Sequence, residues 1–288
     1  MIIVDLNQVM ISNLMAQIGN HTNIELDEGL LRHMILNSIR ANKTKFKEYG
    51  ELIIACDDKN YWRKDIFPYY KASRKTQRQQ SELDWNAIFG CLNKVRDELK
   101  EFFPYRVIQS EKAEADDVIA TLCIEFGSEG IASGEKILIL SGDKDFVQLQ
   151  KYANVDQYNP VLKKYIRHSN PKQYIIEHII RGDRTDGIPN VLSNDDVFVQ
   201  NLRQKPLTKK KINEIINDLD DGELLYAASW YRNYQRNQQL VDLSFVPDYV
   251  RKDVMKQYNE QNNKDRSKLF NYFINYNLKN LVESIGDF

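Results

Sequence analysis

The stretch KILILSGDKDF, residues 136–146, sets a short unbroken apolar run against a turn that carries two carboxylates, Asp143 and Asp145. An apolar run of that length, without polar alternation, reads as a strand buried on both faces. The same construction occurs twice more. Ile2 to Leu6 forms a first such run and contains Asp5, and Leu52 to Cys56 forms a second, followed at once by Asp57 and Asp58. Tyr105 to Ile108 makes a further short strand. Helical patterns separate the runs. Asp27 is placed to cap a helix with Leu30, Leu31, Met34, Ile35 and Ile39 along one stripe, and Trp85 to Phe102 carries Ile88, Leu92, Val95 and Leu99 on one face. Ala115 to Phe126 is a third helix. Strands alternating with helices require crossovers, so the fold class is α/β with a central, mostly parallel sheet flanked by helices. Beyond the turn-rich stretch Gly182 to Pro189 the strand-like runs cease and helical patterns rich in Lys, Asn, Gln and Tyr continue. The expected organisation is an α/β domain over residues 1–182 and a smaller all-helical domain over residues 183–288.

In an open α/β sheet the ligand crevice lies at the carboxyl ends of the strands. Three strands therefore deliver Asp5, Asp57 and the pair Asp143 and Asp145 to one edge. Glu114, Asp116 and Asp117 add a cluster at a helix start, and Asp183 and Asp186 add another in the junction. One Asp after a strand is most simply a turn or helix cap; the repetition at three strand ends asks for more. Carboxylates gathered this closely repel unless cations neutralise them. Hard divalent ions take oxygen ligands, and two of them about 4 Å apart can hold the attacking and leaving oxygens of a phosphoryl displacement. The four histidines, His21, His33, His168 and His178, fall outside these clusters in the sequence, which disfavours zinc or a histidine-based hydrolase.

Bulk composition announces no polyanion partner: 40 Lys and Arg stand against 41 Asp and Glu, for a net charge of −1. Positive charge is instead segregated. Residues 59–78 hold Lys59, Arg63, Lys64, Lys71, Arg74, Lys75 and Arg78 against the single acid Asp65, interleaved with Tyr61, Trp62, Phe67, Tyr69 and Tyr70. Basic groups follow phosphates, and aromatic faces stack on unpaired bases. A second basic run places Thr208 as a helix cap before Lys209, Lys210 and Lys211. The helix dipole disfavours lysines there, which suggests a phosphate backbone as their partner. Three unpaired cysteines, Cys56, Cys91 and Cys123, fit a reducing compartment. No apolar run reaches membrane-spanning length.

The motifs IIVDLN around Asp5, IIACDDKNYWRK around Asp57, EADD at 114–117, SGDKDF at 141–146 and GDRTDGIP at 182–189 occur in the order of the flap endonuclease and 5′→3′ exonuclease family, which the chain resembles over nearly its whole length. The resemblance implies a PIN-like, 5′-nuclease fold with a basic arch at about residues 59–80. It implies two Mg²⁺ ions, with Mn²⁺ as a substitute. Asp5, Asp57, Asp117 and Asp143 would hold the first ion, with Asp116 as ligand or water-orienting group. Asp145, Asp183 and Asp186 would hold the second, and Glu114 would act as ligand or outer acceptor. Lys71 and Arg74 match the family's catalytic basic pair, and Arg63, Lys64, Tyr70, Lys75, Arg78 and Lys209 to Lys211 would bind nucleic acid, with Tyr70 stacking on a base. The implied activity is 5′→3′ exonuclease, ribonuclease H-type primer removal and flap endonuclease cleavage, in phage DNA replication within the infected host's cytoplasm. Its partners would be duplex DNA with a 5′ flap, nick or RNA primer, a phage single-stranded-DNA-binding protein and a sliding clamp, with the enzyme itself a monomer. One departure is Gly187 where the family has Asn, followed by a segment without the glycine-rich pattern that binds K⁺ in the family, which leaves a K⁺ site open.

Two rival functions share these features. A PIN-type single-stranded ribonuclease has the same carboxylate-edged core, against which the arch and the helical C-terminal part argue. A catalytically silent DNA-structure-binding protein has no need of the carboxylates, Lys71 and Arg74.

Overall fold

The computed structural model describes residues 1–19, 27–130, 134–222, 225–262 and 264–288, apart from the side chains of Lys75 and Gln77. The chain runs β1 (Ile2–Asp5), α1 (Leu6–Ile18), α2 (Glu28–Lys45), β2 (Leu52–Cys56), α3 (Arg63–Ile66), α4 (Ala72–Gln79), α5 (Trp85–Phe102), β3 (Arg106–Gln109), α6 (Ala115–Phe126) and β4 (Ile137–Leu140). It continues through a 3₁₀ segment at Lys144–Lys151, β5 (Val155–Asn159), β6 (Lys164–Ile166), α7 (Pro171–Arg181), α8 (Lys209–Asp221), α9 (Tyr231–Val241), α10 (Asp248–Glu260), α11 (Leu269–Asn275) and α12 (Lys279–Val282). One six-stranded sheet has the order β3-β2-β1-β4-β5-β6; its first five strands are parallel and β6 is antiparallel to β5.

The helix starts follow from their caps. Asp27 accepts from the Leu30 amide at 2.9 Å and Asp84 from the amides of Asn86 and Ala87 at 3.0 Å, each satisfying donors the helix leaves free. The three apolar strands are buried throughout because both sheet faces are covered. Alternate residues divide between two cores. Ile2, Val4, Ile54, Leu138 and Leu140 face α1, α2, α5 and the C-terminal Phe288, while Ile3, Ile53, Ile137 and Ile139 face α6 and α10.

The polar pair β5 and β6 was not expected from the sequence. β5 reads VDQYN, and its buried Gln157 is tolerated because the side-chain amide donates to the carbonyls of Ser141 at 3.1 Å and Asp143 at 2.5 Å. Those bonds fix the loop after β4. Residues beyond 182 pack in three places: α10 against the α6 face, α11 and α12 against the opposite face, and α8 and α9 with α7, Phe67 and Tyr70 in a third core. Among the described residues no helix is long and apolar enough to cross a membrane.

Candidate metal and phosphate site

Register decides where the carboxylates emerge. Val4 lies opposite Leu140, and Asp5 opposite Ala55, so Asp5, Asp57 and Asp143 leave the sheet at the same edge. Asp5 caps α1 through the Gln8 amide at 3.1 Å and accepts from Ser141 Oγ at 3.0 Å. Burial, then the charges of Asp57 and Asp143, raise its pKa to about 7. Asp57 accepts from the Ala115 amide at 2.6 Å and from the Asn7 side chain, and burial raises its pKa. Asp116 is pushed well up by burial, then by Asp143 and Glu114, and Asp145 by burial, then by Asp143, Asp183 and Asp186. Asp186 is raised by burial although Lys71 and Arg74 oppose it. Carboxylates that resist ionisation side by side are the donor set hard divalent cations require. The residues present therefore fit such ions.

The adjacent pair Asp116 and Asp117 corrects the expected ligand set. Neighbours on a helix point about 100° apart, so both cannot face one cluster. Asp117 turns back to accept from the Glu114 amide at 2.9 Å, from Trp62 Nε1 at 3.0 Å and from the Arg63 guanidinium at 2.8 and 3.0 Å. It is wholly buried and both its oxygens are occupied by these bonds, whereas Asp116 is not held by them. Arg63 is corrected with it. Only 2% exposed, it bonds Glu114 at 2.9 Å, Asp117 and the Leu240 carbonyl at 2.9 Å, and offers nothing to a phosphate.

Tyr70 is a third correction. It is 2% exposed, and its hydroxyl donates to Glu114 at 2.8 Å and lies 3.1 Å from Asp186, so its ring belongs to the third core and has no face for a base. Tyr61 and Tyr69 are more open. Glu114 spends both oxygens on Arg63, Tyr70 and Lys71, which suits an outer role. Burial alone would raise its pKa; Lys71 and Arg63 outweigh burial and hold it below the usual carboxylate range.

Lys71 and Arg74 reach into this cluster from the start of α4. The Lys71 side chain, 8% exposed, pairs with Glu114 and lies 3.5 Å from Asp186, while Arg74, 39% exposed, bonds Asp186 at 2.7 Å. Lys71 caps α4 in the left-handed backbone region at φ 55°, and its amide donates to the Asp186 carbonyl at 2.7 Å. A non-glycine residue held there needs support from its surroundings, and the Asp183–Asp186 turn supplies it. Gly187, at φ 74°, lies so close that an added Cβ would stand 2.9 Å from the Tyr69 carbonyl oxygen. Glycine meets this left-handed requirement with no Cβ to collide.

Beside Lys71 a cleft of about 570 Å³ is lined by Lys59, Tyr61, Lys64, Arg74, Arg78 and Trp85, among others. Lys64 and Arg78 are exposed; the Lys75 side chain lies outside the described residues. Arg78 stands 4.7 Å over the Phe89 ring. Lys209 and Lys210 are exposed at the start of α8, and no acidic group among the described residues pairs with them; Lys211 pairs with Glu214 at 3.1 Å. Thr208 caps that helix at 3.2 Å through the Lys211 amide.

One residue of the site was placed outside it by sequence reasoning. His178 Nε2 stands 3.4 Å from Asp145 Oδ1 and 3.7 Å from Asp183 Oδ2. Burial lowers its pKa although Asp183 and Asp143 oppose. These three are the one set of three candidate ligand atoms among the described residues that lie within 4.8 Å of one another. The Asp5, Asp57, Asp116 and Asp143 carboxylates do not form such a set among the described residues. Helical arithmetic held the missing signal: His178 sits one turn before Gly182, where α7 ends and the Asp183 turn begins. His21 lies outside the described residues, and His33 and His168 are not part of that set.

Comparison with known proteins adds a family to this geometry. Residues 1–178 match the family described as 5′-3′ exonuclease, N-terminal resolvase-like domain, and residues 169–288 match T4 RNase H, C terminal. The chain is 35% identical to the ribonuclease H of Enterobacteria phage T4 over 295 aligned positions, covering 99% of this chain and 95% of that protein. It is 29% identical to the flap endonuclease Xni of Shewanella sediminis, over 45% of this chain and 50% of that one. Among solved structures, a T5 5′-exonuclease with bound divalent metal ions (zinc) superposes with a TM-score of 0.61 at 17% identity, over 90% of this chain and 98% of the other, a likeness of fold.

Proposed function

Starting from the fact that this chain belongs to the 5′→3′ exonuclease family that includes phage T4 ribonuclease H, we propose that it is a structure-specific 5′ nuclease removing RNA primers and 5′ flaps during phage DNA replication in the host cytoplasm. The observation that carries this reading is the meeting of two opposed sets of charge: carboxylates from three strand ends, a helix start and a turn converge, and Lys71 and Arg74 descend from the arch into their midst. Two divalent cations, for which Mg²⁺ alone suffices, would supply charge neutralisation and an activated nucleophile for phosphodiester hydrolysis. Asp5, Asp57, Asp116 and Asp143 would hold one, and Asp145, Asp183 and Asp186 the other.

The remaining steps belong to the protein. Arg74 and Lys71 turn from Asp186 and Glu114 to the scissile phosphate and offset the charge that grows on its oxygens. Glu114 and Asp186 keep the Lys71 and Arg74 side chains oriented until the substrate takes them. The basic cleft draws the 5′ strand along its phosphates, and Tyr61 lies in its wall for stacking. Lys209 and Lys210 hold the duplex backbone without reading bases, so specificity follows DNA structure. The products carry a 5′-phosphate and a 3′-hydroxyl.

The test uses a 5′-labelled flap duplex and an RNA-primed duplex, each with Mg²⁺ and with EDTA. Short 5′-labelled products that need Mg²⁺ are expected. Cleavage confined to single-stranded RNA would replace this reading with the PIN-type one, and binding without any cleavage would replace it with a silent structure-binding protein.

A further inference from the structure

We propose that His178 gives the second cation position a nitrogen ligand, so that Asp145, His178 and Asp183 form a mixed imidazole–carboxylate site selecting a first-row transition ion, Mn²⁺ or Zn²⁺, over Mg²⁺; this rests on the metal-dependent reading above. Three observations carry it. His178 Nε2 is buried and has no hydrogen-bond partner, with the side chain 16% exposed, so a polar atom faces two carboxylates without bonding either. Such an atom is costly unless something joins it. The spacing suits a shared ion. Two donors bound to one ion at about 2.1 Å stand roughly 3.0 Å apart in octahedral and 3.4 Å apart in tetrahedral geometry. The observed separations are 3.4 Å to Asp145 and 3.7 Å to Asp183. Finally, the ring is held in place: it lies 5.8 Å from Tyr174 one turn earlier on α7, and the last turn of that helix is closed by the Gly182 amide on the His178 carbonyl at 2.9 Å.

The chemical consequence is selectivity. Oxygen-only sites suit Mg²⁺, whereas imidazole favours the later first-row ions, whose affinities rise along the Irving–Williams order. The first position, built from carboxylates alone, keeps its preference for hard ions. The two positions would then fill with different metals when both kinds are present.

The test is carried out on the full chain stripped with EDTA. Nitrogen-15 imidazole spectra are followed during separate titrations with Zn²⁺ and Mg²⁺. Zn²⁺ is expected to move the His178 Nε2 resonance to its metal-bound position while the other three histidines stay in place. His178→Gln and His178→Ala are expected to lower Zn²⁺ affinity, measured by calorimetry, at least about 10–100-fold, the loss seen even when only an outer partner of a ligand is removed, with little change for Mg²⁺. Zn²⁺ binding that leaves the His178 resonance still, or variants of unchanged Zn²⁺ affinity, would overturn the proposal and leave the nuclease reading intact. Absence of any divalent-ion binding would overturn both.

Discussion

Asp5 concentrates the electrostatic problem of the site in one side chain. It is buried, faces Asp57 and Asp143, and has its pKa raised to about 7, whereas the unfolded chain titrates near 3.8. Between those values the folded state holds a proton that the unfolded state has released, so stability falls as pH rises through that window. The full shift corresponds to at most about 4 kcal/mol. The Tm of EDTA-treated protein should therefore fall from pH 5 to pH 8, and Asp5→Asn should raise the Tm at pH 8 above that of the parent. A parent Tm that climbs over this range would contradict the assignment. Arg63 presents the opposite case, a cation closed in with Glu114 and Asp117. Removing one partner of a buried pair leaves the others uncompensated, at about 3–5 kcal/mol. Urea unfolding of Arg63→Ala should show a loss of that size; a loss under about 1 kcal/mol, the value of an exposed pair, would show that the pair is solvated. Lys71→Ala should lower turnover by about 10²–10³ while Mg²⁺ binding persists, and near-normal cleavage would remove Lys71 from the mechanism. At this scale the sequence told which residue types would gather but not which way each points. Asp116 and Asp117 are adjacent letters, and only the helix start separates them by direction. Tyr70 and Arg63 sit in a basic aromatic run that reads as surface, yet a core beneath the arch takes them in.

Elements were legible where one physical pattern dominates. β1, β2 and β4 announced themselves because a parallel strand covered on both faces has no room for polar residues, α2 because Asp27 marks its start, and α5 because Ile88, Leu92, Val95 and Leu99 line one face. β5 and β6 were not legible. The first satisfies its buried Gln157 through the β4 loop, and the second is an edge strand with two exposed residues, so neither carries the apolar signal. The start of α8 was legible through Thr208, and its function has a direct measure. Lysines that neutralise phosphates release counter-ions, and each contributes about 0.9 to the slope of log affinity against log salt on duplex DNA. Lys209→Ala with Lys210→Ala should reduce that slope by about 1.8, uniformly across DNA sequences. An unchanged slope would mean that this helix end faces solvent in the complex.

For the whole molecule, the sheet alone does not close its own cores. Residues beyond 182 return to both of its faces. Leu243, Val246, Val250 and Val254 complete the core under α6, and Leu269, Phe273, Leu281 and Phe288 complete the one under α5. At about 1.5 kcal/mol for each side chain, these eight contribute roughly 12 kcal/mol of burial. A domain of this kind is stable by only about 5–15 kcal/mol in total. The Leu240 carbonyl bonds Arg63 and the Val241 carbonyl bonds Gln148, so the C-terminal helices also anchor the base of the site. A fragment of residues 1–182, which holds every strand and all the strand-end carboxylates, should consequently fail to fold, giving aggregated protein or a non-cooperative thermal transition by circular dichroism, while the full chain melts in one step. A fragment with a sharp melt and Mg²⁺-dependent stabilisation would show instead that the sheet and its acidic edge are self-sufficient, and that the helices serve only the duplex.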